Sequence, residues 1–351
     1  MKKYLVIKAP DDWHLHLRDG DITSVIIQDT CRQFKRALVM PNLDPPLTTV
    51  EDAIGYRKRI NKVKPSGSTF TPFMSLYLTS TLLPDEVYNM SKNKDLLAIK
   101  WYPKGVTTNS ACGIAQNTSI NPDVLQAMID YGIVLCVHGE SSLPSVDPFD
   151  REKVFIKDEL LPLQKKFPDL KVVLEHITTR QAVEYVKQTP NTAATITAHH
   201  LAFDRKALFD GGLRPHWYCM PLLKRKEDRL ALVEAATSGE SKFFLGTDSA
   251  PHTSDHKESS CGCAGCYTAP HAMELYATIF ESHGYIDRLE HFSSIAGSNF
   301  YNQETNNEEL HLIKEEWKVP CATILPNEKK VIPLCAGMVF HWKAKMVLSG
   351  L

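Results

Sequence analysis

Short apolar runs recur along the chain, and chemically capable residues collect at their C-terminal ends. The runs are "YLVIKA", "RALVMPN", "FTPFMSLYLT", "LLAIKWYP", "IVLCVHGE", "KVVLEHIT", "AATITAHHL" and "KFFLGTDSAPH", eight in all. Each is rich in Val, Ile and Leu, as strands buried on both faces of a parallel sheet are. Between them lie amphipathic stretches such as "TVEDAIGYRKRINKV" and "TTRQAVEYVKQ", whose period suits helices. Strand then helix, repeated eight times, predicts a (β/α)8 barrel. An open doubly wound sheet would carry a glycine-rich phosphate turn after its first strand, and none follows "YLVIKA". His14, His16, Asn42, Lys100, His138, His176, His200 and Asp248 all fall near the ends of runs. Barrel enzymes assemble their active sites at that end, from several strands at once. Residues 1–351 read as a single barrel domain. From about 302 to 351 the pattern is less regular, and "CATILP" and "GMVFHW" predict a small appended β element.

Composition narrows the class. At 351 residues the chain can bury roughly three quarters of its unfolded surface without disulfide support. Forty basic residues against forty-one acidic ones give no electrostatic reason for nucleic acid or membrane binding. No apolar run approaches the roughly 20 residues of a spanning helix. Nine scattered cysteines and no signal peptide ahead of the first run point to a reducing cytoplasm.

"DDWHLHLRDG" places His14 and His16 two apart, on one face of a strand, an arrangement suited to a metal such as zinc. Arg18 follows on the same face, where its guanidinium can fork onto a carboxylate. Lys100 ends an apolar strand, where a buried ammonium must be paired, neutral or chemically changed. Taken alone, a lysine snorkelling out of the strand end is the simpler account. His138 and His176 each close a buried run, and singly each suits a hydrogen-bonded core histidine. Asp248 could ligate a metal, act as a general base, or cap the next helix. Convergence favours chemistry, because in a closed barrel these strand ends meet around one axis. "KESSCGCAGC" offers Cys261, Cys263 and Cys266, whereas a closed structural zinc site needs four ligands. A fourth would have to come from Cys219 or a histidine. In "TAHHL", alternation along a strand would let only one of His199 and His200 point inward.

Together "DDWHLHLRDGD", "VMPN", "YPKGVTTNS", "VHGE", "EHITT", "RPHWYC", "GTDSAPH" and "KESSCGCAGC" closely resemble the shorter bacterial dihydroorotases of the amidohydrolase superfamily. The resemblance implies two Zn2+ per subunit, bridged by a hydroxide and by Lys100 carboxylated on its amine. His14, His16 and Asp248 would hold the more buried ion, and His138 and His176 the more exposed one. Arg18, Asn42 and His252 match the family's clamp on the substrate carboxylate. The Ala264 backbone matches a further substrate contact, as does that of Met220, where the family usually has leucine. Thr107 and Thr108 match a mobile loop that closes over the substrate, with Gly105 beside them to help it bend. The implied reaction is reversible cyclisation of N-carbamoyl-L-aspartate to L-dihydroorotate in pyrimidine biosynthesis, with Asp248 moving the proton, in a cytoplasmic homodimer. A hydantoinase or dihydropyrimidinase shares the metal centre but need not bind a ring carboxylate, which Arg18 and Asn42 argue for. A non-catalytic dihydroorotase-like scaffold is disfavoured because the lysine, histidines and aspartate are all present.

Overall fold

The structure is a computed structural model that describes residues 3–347. Residues 348–351 of the expected appended segment lie outside the described ones. Eight parallel strands form one sheet in strict chain order: β2 (Asp11–Leu15), β3 (Arg36–Val39), β4 (Thr71–Tyr77), β5 (Leu96–Trp101), β6 (Val134–His138), β7 (Val172–Glu175), β8 (Thr192–Ile196) and β9 (Phe243–Leu245). The sheet closes just past β9. Leu15 bridges Ser249 in parallel, His16 N–H donates to Ser249 O at 3.0 Å, and Asp248 N–H donates to His14 O at 2.8 Å.

The intervening helices start where their sequences supply caps. Thr49 and Asp52 form a reciprocal capping box at the head of Val50–Val63, and Thr179 accepts the Ala182 N–H ahead of Arg180–Gln188. Among the described residues no helix is long and apolar enough to cross a membrane.

The first apolar run is not a barrel strand. "YLVIK" forms β1 (Tyr4–Lys8), which pairs antiparallel with β10 (Glu309–Lys318), itself paired with β13 (Val339–Val347). The reason is visible in its burial: Ile7 is buried while Val6 and Lys8 are exposed, the mark of a strand with one wet face. The true first barrel strand is the polar "DDWHL", all five residues of which are buried. Two short strands, β11 (Thr323–Ile324) and β12 (Lys330–Val331), make a hairpin. It leans on the barrel mouth through the Thr253–Val331 bridge, with Tyr267–Pro333 beside it. The expected β element at the C-terminus is therefore present, and the N-terminal strand is part of it.

Two apolar clusters divide the core. The larger lies between strands and helices. The smaller fills the barrel floor with Trp13, Phe73, Ala98, Cys136, Val173, Phe244 and Tyr301. Trp13 and Tyr301 stack face to face at 4.4 Å and 5°. A Cβ on Gly297 would fall 2.1 Å from Trp13 Nε1, so only glycine lets the last helix (Ala296–Phe300) approach this close. Pairing of β2 with β3 slips between Asp12 and Leu15. That irregularity lets Trp13 enter the floor while the next residue, His14, faces the mouth. Asp12 pins it, accepting from His14 N–H at 3.1 Å and from the N–H and hydroxyl of Thr247 at 2.8 and 2.5 Å.

Candidate metal centre and substrate cleft

The C-terminal ends of β2, β5, β6, β7 and β9 bring together His14, His16, Lys100, His138, His176 and Asp248, all at most 8% exposed. One ligand atom from each of His14, His16 and Asp248 lies within 4.8 Å of the others. His14 Nε2 and His16 Nε2 stand 3.4 and 3.2 Å from Asp248 Oδ1. Ring centroids of His176 lie 4.9 Å from His14 and 4.8 Å from His138.

The far sides of three of the four imidazoles are held by named acceptors, while His176 Nδ1 has no hydrogen-bond partner. His14 Nδ1 is 2.8 Å from Glu175 Oε2, which also accepts from the Thr195 hydroxyl at 2.5 Å. His16 Nδ1 is 2.8 Å from the Asn42 side-chain oxygen, and His138 Nε2 is 2.8 Å from Glu140 Oε2. An N–H donated outward leaves the other ring nitrogen with a lone pair facing the centre, the state in which imidazole binds a metal. Glu175, Thr195 and Glu140 were not singled out from sequence. Glu140 stands in "VHGE" two residues from the His138 it serves, whereas Glu175 in "LEHIT" adjoins His176 but serves His14 from a distant strand.

Burial dominates the electrostatics. It pushes the Lys100 amine below its ordinary pKa, with the Glu175 carboxylate only partly offsetting it, and Lys100 Nζ has no hydrogen-bond partner. Burial likewise holds His176 well below the usual histidine range and lowers His138. Asp248 goes the other way: burial opposes its charge, yet bonds from His14 and His16 keep its carboxyl well below the normal range. Arg18, His176 and Asp248 all have positive φ, at 57°, 41° and 45°. Such backbone is costly for non-glycine residues and concentrates at functional sites.

Beside the centre a cleft of about 500 Å³ is lined by Arg18, Thr108, Asn109, His252, Cys263 and Lys329, among others. Arg18 Nε donates to Pro251 O at 3.0 Å, and its Nη2 lies 2.9 Å from His252 Nε2. The same His252 nitrogen is 3.1 Å from Ala264 O. Burial, with Arg18 next, pushes His252 down to about 2, so it is neutral. Asn42 donates to Thr108 O at 3.0 Å, and the Thr108 hydroxyl donates to Ala264 O at 3.3 Å. Thr107 is half-buried and turns its N–H to Ser110 Oγ at 3.0 Å. Met220 is half-buried at the rim, beside buried Cys219.

One sequence expectation changes here. His199 and His200 lie on a helical turn (Ala198–Ala202), not a strand, so alternation does not apply; both are buried with rings 4.4 Å apart. Among the described residues Cys261, Cys263 and Cys266 belong to no group of converging ligand atoms, Cys261 being exposed, Cys263 half-buried and Cys266 buried. Among the described residues the second group of converging ligand atoms is instead His199, His200 and Cys219.

The amidohydrolase family model matches residues 7–345. A dihydroorotase from Ralstonia nicotianae is 52% identical over 340 residues, covering 97% of this chain and 98% of that one. The crystal structure of dihydroorotase from Campylobacter jejuni superposes with a TM-score of 0.89 at 36% identity, covering 98% of both chains. That of Saccharomyces cerevisiae dihydroorotase in complex with 5-fluoroorotic acid gives 0.91 at 31% identity, covering 98% of this chain and 99% of that one. The chain therefore belongs to the dihydroorotases of the amidohydrolase family.

Proposed function

We propose that this chain interconverts N-carbamoyl-L-aspartate and L-dihydroorotate at a centre of two Zn2+, the observation that carries the reading being the buried, unpartnered Lys100 amine among four histidines and Asp248. The donor set fits such a centre. Imidazole lone pairs and a carboxylate converge, and a buried lysine whose ammonium form is disfavoured by desolvation can add carbon dioxide to become an anionic bridging ligand. His14, His16 and Asp248 would hold one ion, His138 and His176 the other, and carboxylated Lys100 both. The ions would supply a nucleophilic water near neutral pH and polarise the ring carbonyl.

Everything else falls to the chain's own side chains. Arg18 stays charged and presents its guanidinium to the ring carboxylate. His252 Nε2 can swing its hydrogen bond from the Ala264 carbonyl to the same carboxylate, with Asn42 completing the clamp. Fixing that group aligns the amide bond with Asp248, which binding of an uncharged ring would not do. In ring opening Asp248 takes a proton from the attacking water and passes it to the ring nitrogen as the C–N bond breaks. In closure it removes a proton from the carbamoyl nitrogen and returns it to the departing hydroxyl, so that water leaves the carboxyl carbon as the C–N bond forms. Thr107 and Thr108 close over the substrate and exclude bulk water. The resemblance to the shorter bacterial dihydroorotases supports a cytoplasmic homodimer.

The test compares turnover of dihydroorotate with that of dihydrouracil, alongside metal content and activity of Lys100→Ala. We expect strong preference for the carboxylated ring, and loss of most bound metal and activity in the variant. Preference for dihydrouracil would favour a hydantoinase-type reaction, and full activity of the variant would remove the bridging lysine.

A further inference from the structure

His199, His200 and Cys219 form a second convergence of ligand atoms, separate from His14, His16 and Asp248, with all three atoms within 4.8 Å of one another. The three residues are only 1–2% exposed. Both ring nitrogens of His199 lack a hydrogen-bond partner, an expensive state for a buried imidazole. His200 Nε2 lies 3.9 Å from Cys219 Sγ. Both of these atoms point at the Pro221 carbonyl oxygen, at 3.0 and 3.3 Å.

We propose that this pocket is a third metal site, taking Zn2+ on one nitrogen of His199, on His200 Nε2 and on Cys219 Sγ, with the Pro221 carbonyl oxygen in the fourth position. Two imidazoles with one thiolate suit a borderline-soft cation rather than Mg2+ or Ca2+. In a tetrahedral zinc site nitrogen and sulfur ligands stand about 3.6 Å apart, so the observed pair needs to close by only a few tenths of an ångström. Binding forms a Zn–S bond as the thiol proton leaves to solvent. His200 moves its proton to Nδ1, which then donates to the Thr197 hydroxyl 2.7 Å away. The Pro221 carbonyl loses two donors and gains the cation. Lys257 supports the same ground. Its ammonium donates to the carbonyls of Tyr218, Cys263 and Gly265 at 2.7–2.8 Å. Contact with Cys266 and burial hold the Cys219 thiol well above its ordinary pKa, and the Lys257 charge offsets them only in part, so it is the incoming cation that displaces the proton.

Such an ion would clip the helical turn after β8 to the Cys219–Pro221 stretch that carries Met220 to the rim of the cleft. The test loads the full chain with Co2+ and follows thiolate-to-cobalt absorption in the near ultraviolet. This band reports sulfur ligation alone, so its outcome is distinguishable from the fate of the sulfur-free centre proposed above. We expect the band in the unaltered chain, its loss in Cys219→Ser, its persistence in a Cys261→Ser/Cys263→Ser double variant, and at least tenfold weaker cobalt binding by the same band in His199→Gln. No band in the unaltered chain overturns the proposal, as does a band that depends on Cys261 or Cys263. Should Cys219→Ser fail to fold by circular dichroism, the His199→Gln titration decides, and unchanged affinity there overturns it.

Discussion

Glu175 ends β7 and His176 follows it directly, so a continued strand would send the two to opposite faces. Both nevertheless face the centre, because His176 takes positive φ and its N–H bonds to Thr195 Oγ1 at 2.7 Å. Asp248 and Arg18 depart from extended geometry in the same way. This is why sequence reasoning recovered the His-x-His pair but passed over Glu175. Two residues apart is a pattern that alternation explains, whereas adjacent residues sharing a face require a backbone state that no residue type announces. Glu175 holds the tautomer of His14 and supplies charge behind it. Glu175→Gln keeps the shape and removes the charge, and should weaken metal binding about tenfold. A chelator-competition titration checks this, and unchanged affinity would mean that the carboxylate is only a packing partner. His14→Gln, by contrast, should abolish binding at the more buried position.

At the scale of elements, the loop from Lys104 to Ile114 is held over the cleft by polar contacts to rigid strand ends. Asn109 donates to Asn42 O at 2.9 Å and receives the Tyr77 hydroxyl at 3.3 Å, again with positive φ, 54°. Asn42 in turn bonds both Thr108 and His16, so loop position and the tautomer of His16 share one amide. Removing the Asn109 side chain should therefore loosen closure more than chemistry. Asn109→Ala is expected to raise KM about tenfold, the size of one well-made hydrogen bond, with a smaller change in kcat. Steady-state kinetics at fixed zinc would check it, and a fall in kcat with KM unchanged would place Asn109 elsewhere in the cycle. Elements were read well from sequence where hydropathy marks them, as in β3 to β9. The exchange of β1 for β2 shows the limit. "YLVIK" is apolar yet one-faced, while "DDWHL" is polar yet wholly buried because Asp11 and Asp12 find partners that composition does not reveal. Asp11, for instance, accepts from Arg36 Nε at 2.8 Å and from Asn306 at 2.8 Å.

Across the whole molecule, stability depends on buried groups that must stay neutral. His271 is fully buried, its ring nitrogens have no partner, and burial, then Arg32 and His199, push it down to about 3. In the unfolded chain the same imidazole titrates near 6.5. A depressed folded value means that its contribution is complete above about 6.5 and is lost as pH falls towards 3, because the unfolded chain binds the proton first. Between pH 7 and pH 5 that amounts to about 2 kcal/mol. Urea unfolding at both pH values should show His271→Leu losing less stability on acidification than the unaltered chain by this margin, and parallel losses would refute it. The closed barrel was legible because alternating apolar runs and helices admit few architectures, even though one of the eight runs, "YLVIK", lies outside the barrel. What fills the floor was not, since the stacking of Trp13 on Tyr301 joins residues that no local pattern connects.

That stack also dictates an order of events during synthesis. At about 5–20 residues per second, a ribosome takes about 15–60 s to travel from Trp13 to Tyr301. Throughout that interval the large indole has no lid, and β1 has no β10 to pair with. The first barrel strand to be made is thus among the last to be packed, and a nascent chain stalled before Tyr301 would expose an apolar barrel floor to chaperones and proteases.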